Sequence, residues 1–240
     1  MKIIVGNNHQ ISALIAEQFI NQIKQKPNSV LGLATGTSPL EVYANLIKAN
    51  KEGIISFKDV ITFNLDEYLG LDEHHPQSYR YFMDVNLFNY IDINKSNTHV
   101  LKGVGNCEDC ANQYDQQIVE AGGIDLQILG LGSDGHIAFN EPGTAFGSLT
   151  HIAELTESTI KDNSRLFTCV SEVPKKAITM GLKSIMNAKK IVLIATGENK
   201  AKAVYNLLKG PVTEAVPCSI LQLHPDCTIY VDEAAYSLVK

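Results

Sequence analysis

Short apolar, β-rich runs alternate with longer segments of helical period along the whole chain. Lys2 to Val5, Ser29 to Leu33, Val60 to Asn64, Ile124 to Leu129, Ile191 to Thr196 and Cys227 to Val231 predict strands. Between the first two, Ile11, Leu14, Ile15, Phe19 and Ile23 draw one apolar stripe down a helix. This rhythm predicts an α/β fold: a mostly parallel, doubly wound, Rossmann-like sheet flanked by helices. In such sheets ligands lie beyond the carboxyl ends of the strands, so the loops directly after these runs are where chemistry is expected.

No internal repeat, low-complexity tract or Pro/Gly/Ser-rich linker divides the chain. With 240 residues, 45% of them apolar, it can bury one sizeable core, and a single domain over 1–240 is expected. The stretch from Gly143 to about Pro174 is the least regular, mixing Gly, Thr, Ser, Asn and charges. It reads either as a lid over about 144–174 or as a long surface excursion.

No segment approaches the roughly 20 apolar residues that span a bilayer, and Met1 to Gly6 lacks the longer apolar stretch of a signal peptide. A cytoplasmic protein with no membrane partner is expected. Twenty basic and 26 acidic residues give a net charge of −6 without long blocks of either sign, which argues against nucleic acid as a partner. An anionic ligand would then need local positive groups. The five cysteines are expected as reduced thiols. Cys107-x-x-Cys110 lacks a second Cys or His pair at zinc spacing, and His74-His75 are too close together to chelate one ion easily, so no metal is implied.

Three loops carry candidate chemistry. After the second strand, Ala34-Thr35-Gly36-Thr37-Ser38-Pro39-Leu40-Glu41 reads as a turn into a helix, with Ser38 as N-cap, Pro39 in the first helical position and Glu41 closing a capping box. The N–H groups and hydroxyls of Thr35, Gly36, Thr37 and Ser38 at a helix start would suit a phosphate, whereas a plain cap needs only Ser38 and Glu41. No Gly-Lys-Ser/Thr follows, so this is not a nucleotide P-loop. After the third strand, Asp66 and Glu67 sit side by side, and adjacent residues in extended chain point to opposite sides, so one of them at most faces a ligand.

The densest cluster, Gly130-Leu131-Gly132-Ser133-Asp134-Gly135-His136-Ile137-Ala138-Phe139-Asn140-Glu141-Pro142-Gly143, follows the fourth strand. Its G-x-G-x-x-G spacing would need a long helix behind it to bind a dinucleotide, and Pro142 and Gly143 prevent one. Asp134, His136 and Glu141 form an acid/base set in which carboxylates can orient an imidazole. Arg165 and Lys200 are ordinary solvated charges unless folding brings them to Thr35 through Ser38, where they would clamp a phosphate.

Taken together, Ala34 to Pro39, Phe63-Asn64-Leu65-Asp66-Glu67-Tyr68 and Asp134 to Pro142 resemble the glucosamine-6-phosphate deaminase family, related to the 6-phosphogluconolactonases. Asn163-Ser164-Arg165, Lys200 and Ser219 to His224 extend the resemblance over nearly the whole chain. It implies conversion of glucosamine 6-phosphate to fructose 6-phosphate and ammonia without a cofactor. Asp66 then corresponds to the base that takes the C2 proton, and His136, supported by Asp134 and Glu141, to the group that opens the sugar ring. Thr35 to Ser38 with Arg165 and Lys200 correspond to the phosphate site, and the irregular region to the lid.

The chain departs from allosterically activated members, with His151 and Ala153 where those carry basic residues and an end at Lys240. No activation by N-acetylglucosamine 6-phosphate and a monomer or small homo-oligomer are therefore expected. Two rivals remain. A lactonase of the same superfamily would not need Asp66, which has no C2 proton to take there. A sugar-phosphate sensor would need a DNA-binding module, and the first strand already begins at Lys2.

Overall fold

The computed structural model describes residues 1–239, with only the backbone of Leu166; Lys240, the last residue of the expected domain, lies outside the described residues. In chain order the elements are β1 (Lys2–Val5), α1 (Asn8–Gln25), β2 (Val30–Leu33), α2 (Leu40–Lys51), β3 (Ile61–Asn64), β4 (Asp66–Tyr68), α3 (Tyr79–Asn86), β5 (Thr98–His99) and α4 (Cys107–Glu120). There follow β6 (Leu126–Leu129), β7 (His151–Glu154), α5 (Glu157–Asn163), β8 (Lys176–Thr179), α6 (Leu182–Met186), β9 (Ile191–Ala195), α7 (Ala201–Lys209) and β10 (Cys227–Val231).

Every predicted strand is present, some trimmed by a residue or two, in one parallel sheet of order β1-β10-β9-β6-β2-β3-β5. Strands β2, β6, β9 and β10 are buried at each position, as strands covered on both faces must be. Helix α1 starts at a capping box in which Asn7 and Gln10 satisfy each other's N–H. Its buried stripe is Ile11, Ile15, Ala16, Phe19 and Ile23; Leu14, expected on it, is 40% exposed because at about 100° per residue it falls outside the arc that these positions span.

A second sheet, β4-β8-β7, is antiparallel and escaped the sequence reading because its strands are short and carry Asp, Glu, His and Lys. The run expected to end at Asn64 does end there, but Leu65 turns the chain from one sheet into the other. The Leu65 N–H donates to the Leu33 carbonyl at 3.2 Å and its carbonyl accepts from the Met180 N–H at 2.7 Å. Asp66 is therefore fixed in a strand instead of standing in a solvated turn. The region expected to be irregular between 144 and 174 contains β7, paired residue by residue with β8, and helix α5, whose N-cap Thr156 accepts the Thr159 N–H. Among the described residues no helix is long and apolar enough to cross a membrane.

Candidate active site

The loops after β2, β3, β6 and β9, four neighbouring strands of the parallel sheet, open into one cavity of about 510 Å³. Thr35, Gly36, Thr37 and Ser38 line it from β2, Asp66 from beyond β3, His136 from beyond β6 and Lys200 from beyond β9. Arg165 reaches it from the turn after α5. Asp134 and Glu141 stand behind His136, so the separate clusters seen in the sequence meet around one space.

At one end the loop turns at Gly36, whose φ of +85° suits glycine. The N–H groups of Thr35, Gly36, Thr37 and Ser38 make no hydrogen bond among the described residues, which leaves donors for an anion. The expected cap is corrected here. Helix α2 begins at Leu40 with Pro39 in the cap position and no side-chain cap, because a turn from the Leu40 N–H to the Thr37 carbonyl closes the helix start. Ser38 lines the cavity instead, and Glu41 turns to the start of α1, accepting from Asn8 Nδ2 at 2.8 Å. Burial pulls Lys200 below its ordinary range, the Asp162 and Asp134 charges oppose this, and Arg165 adds to it. Arg165 and Lys200 thus line one cavity close enough for each charge to disfavour the other.

At the other end Asp66 is buried, and that burial, reinforced by the adjacent Glu67 charge, pushes its carboxyl up to about 8. No hydrogen-bond donor among the described residues offsets the cost. His136 Nδ1 lies 2.7 Å from Asp134 Oδ1 and 3.7 Å from Glu141 Oε2, which leaves Nε2 for exchange with a ligand. Burial alone would raise Asp134; the hydrogen bond and charge of His136 outweigh it and hold Asp134 at about 2. Glu141 Oε1 accepts the Thr156 N–H at 3.2 Å, tying the imidazole's support to the base of the region expected as a lid. Asp134, His136 and Glu141 are also the group among the described residues whose ligand atoms gather within 4.8 Å and could hold a cation.

Two glycines of this loop leave room for different things, one for the imidazole and one at the open cavity wall. A Cβ on Gly132 would lie 2.3 Å from His136 Nδ1, while Gly130 has open space beside it. Gly132→Ala is expected to displace the ring and lower kcat at least about tenfold, since misplacing a catalytic group by 1 Å can cost far more. Steady-state kinetics with a melting curve separate this from unfolding. Ala138, at φ 51°, turns the chain back so that Phe139 joins the cavity wall.

Sequence reasoning gave no site role to Phe139 and Asn163, which it met only as part of the resemblance, and missed Tyr79 and Asp162; all four line the cavity. The signal for Tyr79 was an aromatic residue directly after the N-cap Ser78; Asp162 Oδ2, which accepts from Ser133 Oγ at 3.0 Å, has no local signature.

Residues 7–230 match the family described as glucosamine-6-phosphate isomerases/6-phosphogluconolactonase. The chain belongs to this family. A glucosamine-6-phosphate deaminase of Thermoanaerobacter pseudethanolicus is 54% identical over 241 residues, covering 100% of this chain and 95% of the relative. One of Mycoplasma mycoides subsp. mycoides SC is 56% identical over 238 residues, covering 99% and 97%. Among solved structures, a monomeric glucosamine-6-phosphate deaminase superposes with TM-score 0.97 at 41% identity, covering 99% of this chain and 100% of that one. A 6-phosphogluconolactonase from Trypanosoma brucei shares the fold, with TM-score 0.79 at 18% identity over 100% and 98% of the two chains.

Proposed function

We propose that this family member is a deaminase, converting D-glucosamine 6-phosphate and water to D-fructose 6-phosphate and ammonia. The observation that carries the reading is a buried carboxylate, Asp66, in the same cavity as a carboxylate-flanked imidazole and an anion-ready loop. The deaminase relatives at 54% and 56% identity support it.

Closed glucosamine 6-phosphate must first expose its aldehyde, which moves a proton between ring oxygen and the C1 hydroxyl. His136 Nε2 takes and returns that proton while Asp134 and Glu141 hold the ring and its charge. With C1 a carbonyl, the C2 hydrogen is acidic enough for Asp66. Asp66 removes it to form an enolamine and returns a proton at C1, leaving an imine at C2. Water adds to that carbon and ammonia departs, so the atoms balance without an oxidant or reductant.

Thr35, Gly36, Thr37 and Ser38, with Arg165 and Lys200, bind the phosphate in this reading. Lys200→Ala or Arg165→Ala is expected to raise KM about 10- to 100-fold, the usual worth of a charge-assisted hydrogen bond. Inhibition by inorganic phosphate should weaken in step. The chain is one domain whose segment 144–174 acts as the lid, with β7 anchored to β8 so that the moving part runs from Thr156. The partner is a small sugar phosphate, with neither nucleic acid nor membrane involved, for a cytoplasmic monomer or small homo-oligomer; the solved relative is a monomer.

The test is release of ammonia from glucosamine 6-phosphate by the purified protein with no cofactor added, run beside 6-phosphogluconolactone. Ammonia and fructose 6-phosphate in equal amounts are expected. Hydrolysis of the lactone with no ammonia from the amino sugar overturns the assignment.

A further inference from the structure

Glu67 follows Asp66 directly and is 2% exposed, yet does not line the cavity. Its Oε1 accepts the N–H of Tyr68 at 2.8 Å and of Tyr79 at 2.9 Å, and its Oε2 accepts the N–H of Tyr79 at 2.9 Å and of Arg80 at 3.0 Å. Tyr79 and Arg80 open α3, and Ser78 Oγ accepts the next N–H, from Tyr81, at 3.0 Å. One carboxylate thus ties the strand carrying Asp66 to the first turn of the helix carrying Tyr79. The Tyr79 ring lines the cavity and stacks on Phe139, with centroids 6.0 Å apart. The Arg80 side chain does not neutralise Glu67; its guanidinium is turned to Asp84 and Thr98. A plain helix cap would be served by Asn or Ser, without placing a second buried charge beside the first.

We propose that Glu67 is a positioning residue for Asp66: it fixes Tyr79 as the wall of the base's site, and its negative charge keeps Asp66 a strong proton acceptor. The proposal rests on Asp66 being the base of the deamination. Burial pushes Glu67 up to about 7 against its three N–H donors, so the two carboxyls titrate in the same range. Among the described residues the Tyr68, Tyr79 and Tyr114 phenols also sense Asp66, all raised by burial and neutral in that range. His136 lines the same cavity as Asp66.

The test is the pH dependence of kcat/KM for Glu67→Gln and Glu67→Asp, with melting curves to establish folding. Glu67→Gln keeps the length but loses the charge, and the acid limb should move down by about one pH unit. Glu67→Asp keeps the charge but cannot reach α3, and should leave the limb in place while lowering kcat several-fold. An acid limb unmoved in folded Glu67→Gln overturns the proposal. Carboxyl carbon NMR of the unaltered protein gives a reading that needs no variant: Asp66 and Glu67 should titrate in two linked steps, and two independent steps overturn it. Activity surviving in Asp66→Asn would remove the base reading itself, whereas an inert Asp66→Asn with an unmoved limb in Glu67→Gln removes this inference alone.

Discussion

Asp66→Asn is expected to lower kcat for glucosamine 6-phosphate on the order of 10²- to 10⁴-fold, the usual contribution of a general base, with KM little changed. Asn matches Asp in size and keeps the strand pairing of β4 with β8, but it cannot accept the C2 proton. The phosphate contacts come from other loops and survive, so binding of the sugar phosphate, measured by calorimetry, should persist. Turnover within tenfold of the unaltered protein would remove the base role.

The same variant should be more stable than the parent, and in a pH-dependent way. The Asp66 carboxyl titrates near 3.8 when unfolded and is pushed up to about 8 in the fold, so the native state holds a proton that the unfolded chain has lost between those values. Stability therefore falls as pH rises through that window, and Asn removes the fall. The melting curves of parent and variant should separate progressively from about pH 4 to pH 8, reaching at least about 1 kcal/mol. Such a trade of stability for chemistry is common at active sites.

His136→Gln has the second largest expected effect, a loss on the order of 10²- to 10³-fold on the ring form of the sugar and a smaller one on the open-chain form. Gln can reach the same space but cannot both take and give a proton near neutrality. Rapid mixing that follows ring and open-chain sugar separately checks this, and equal losses on both would remove the ring-opening role. A stability signature accompanies it. Asp134 is held at about 2 by His136, against an unfolded value of 3.8, so the pair contributes stability above pH 3.8 that is lost as pH falls toward 2. Without the imidazole that contribution should vanish, and the variant should differ most from the parent above pH 4.

The sequence showed the parallel sheet because its strands are apolar and bounded by helices of clear period, as β9 and β10 illustrate with every residue buried. The antiparallel sheet was hidden because β4 and β7 read Asp-Glu-Tyr and His-Ile-Ala-Glu, with no apolar run to mark them. Asp134, His136 and Glu141 were legible since they lie in one short loop, where proximity follows from covalent spacing. Arg165 and Lys200 could be placed at the phosphate loop only through tertiary structure, and the family resemblance stood in for it. Ser38 misled through local chemistry: Ser-Pro-x-Glu matches a capping pattern, yet the Thr37 to Leu40 turn takes the helix start and frees the serine for the cavity. Tyr79 and Glu67 belong to the same hidden layer, since their meeting depends on the chain turning at Leu65 into the second sheet.

The most direct measurement is an experimental structure with 2-amino-2-deoxyglucitol 6-phosphate, the reduced open-chain form of the sugar. The account predicts its phosphate hydrogen-bonded to the loop of Thr35 to Ser38, Arg165 and Lys200. It also predicts C2 within roughly 3–3.5 Å of the Asp66 carboxylate and the C5 hydroxyl within reach of His136 Nε2. A phosphate bound elsewhere, or a C2 that Asp66 does not touch while the phosphate is seated, would contradict it.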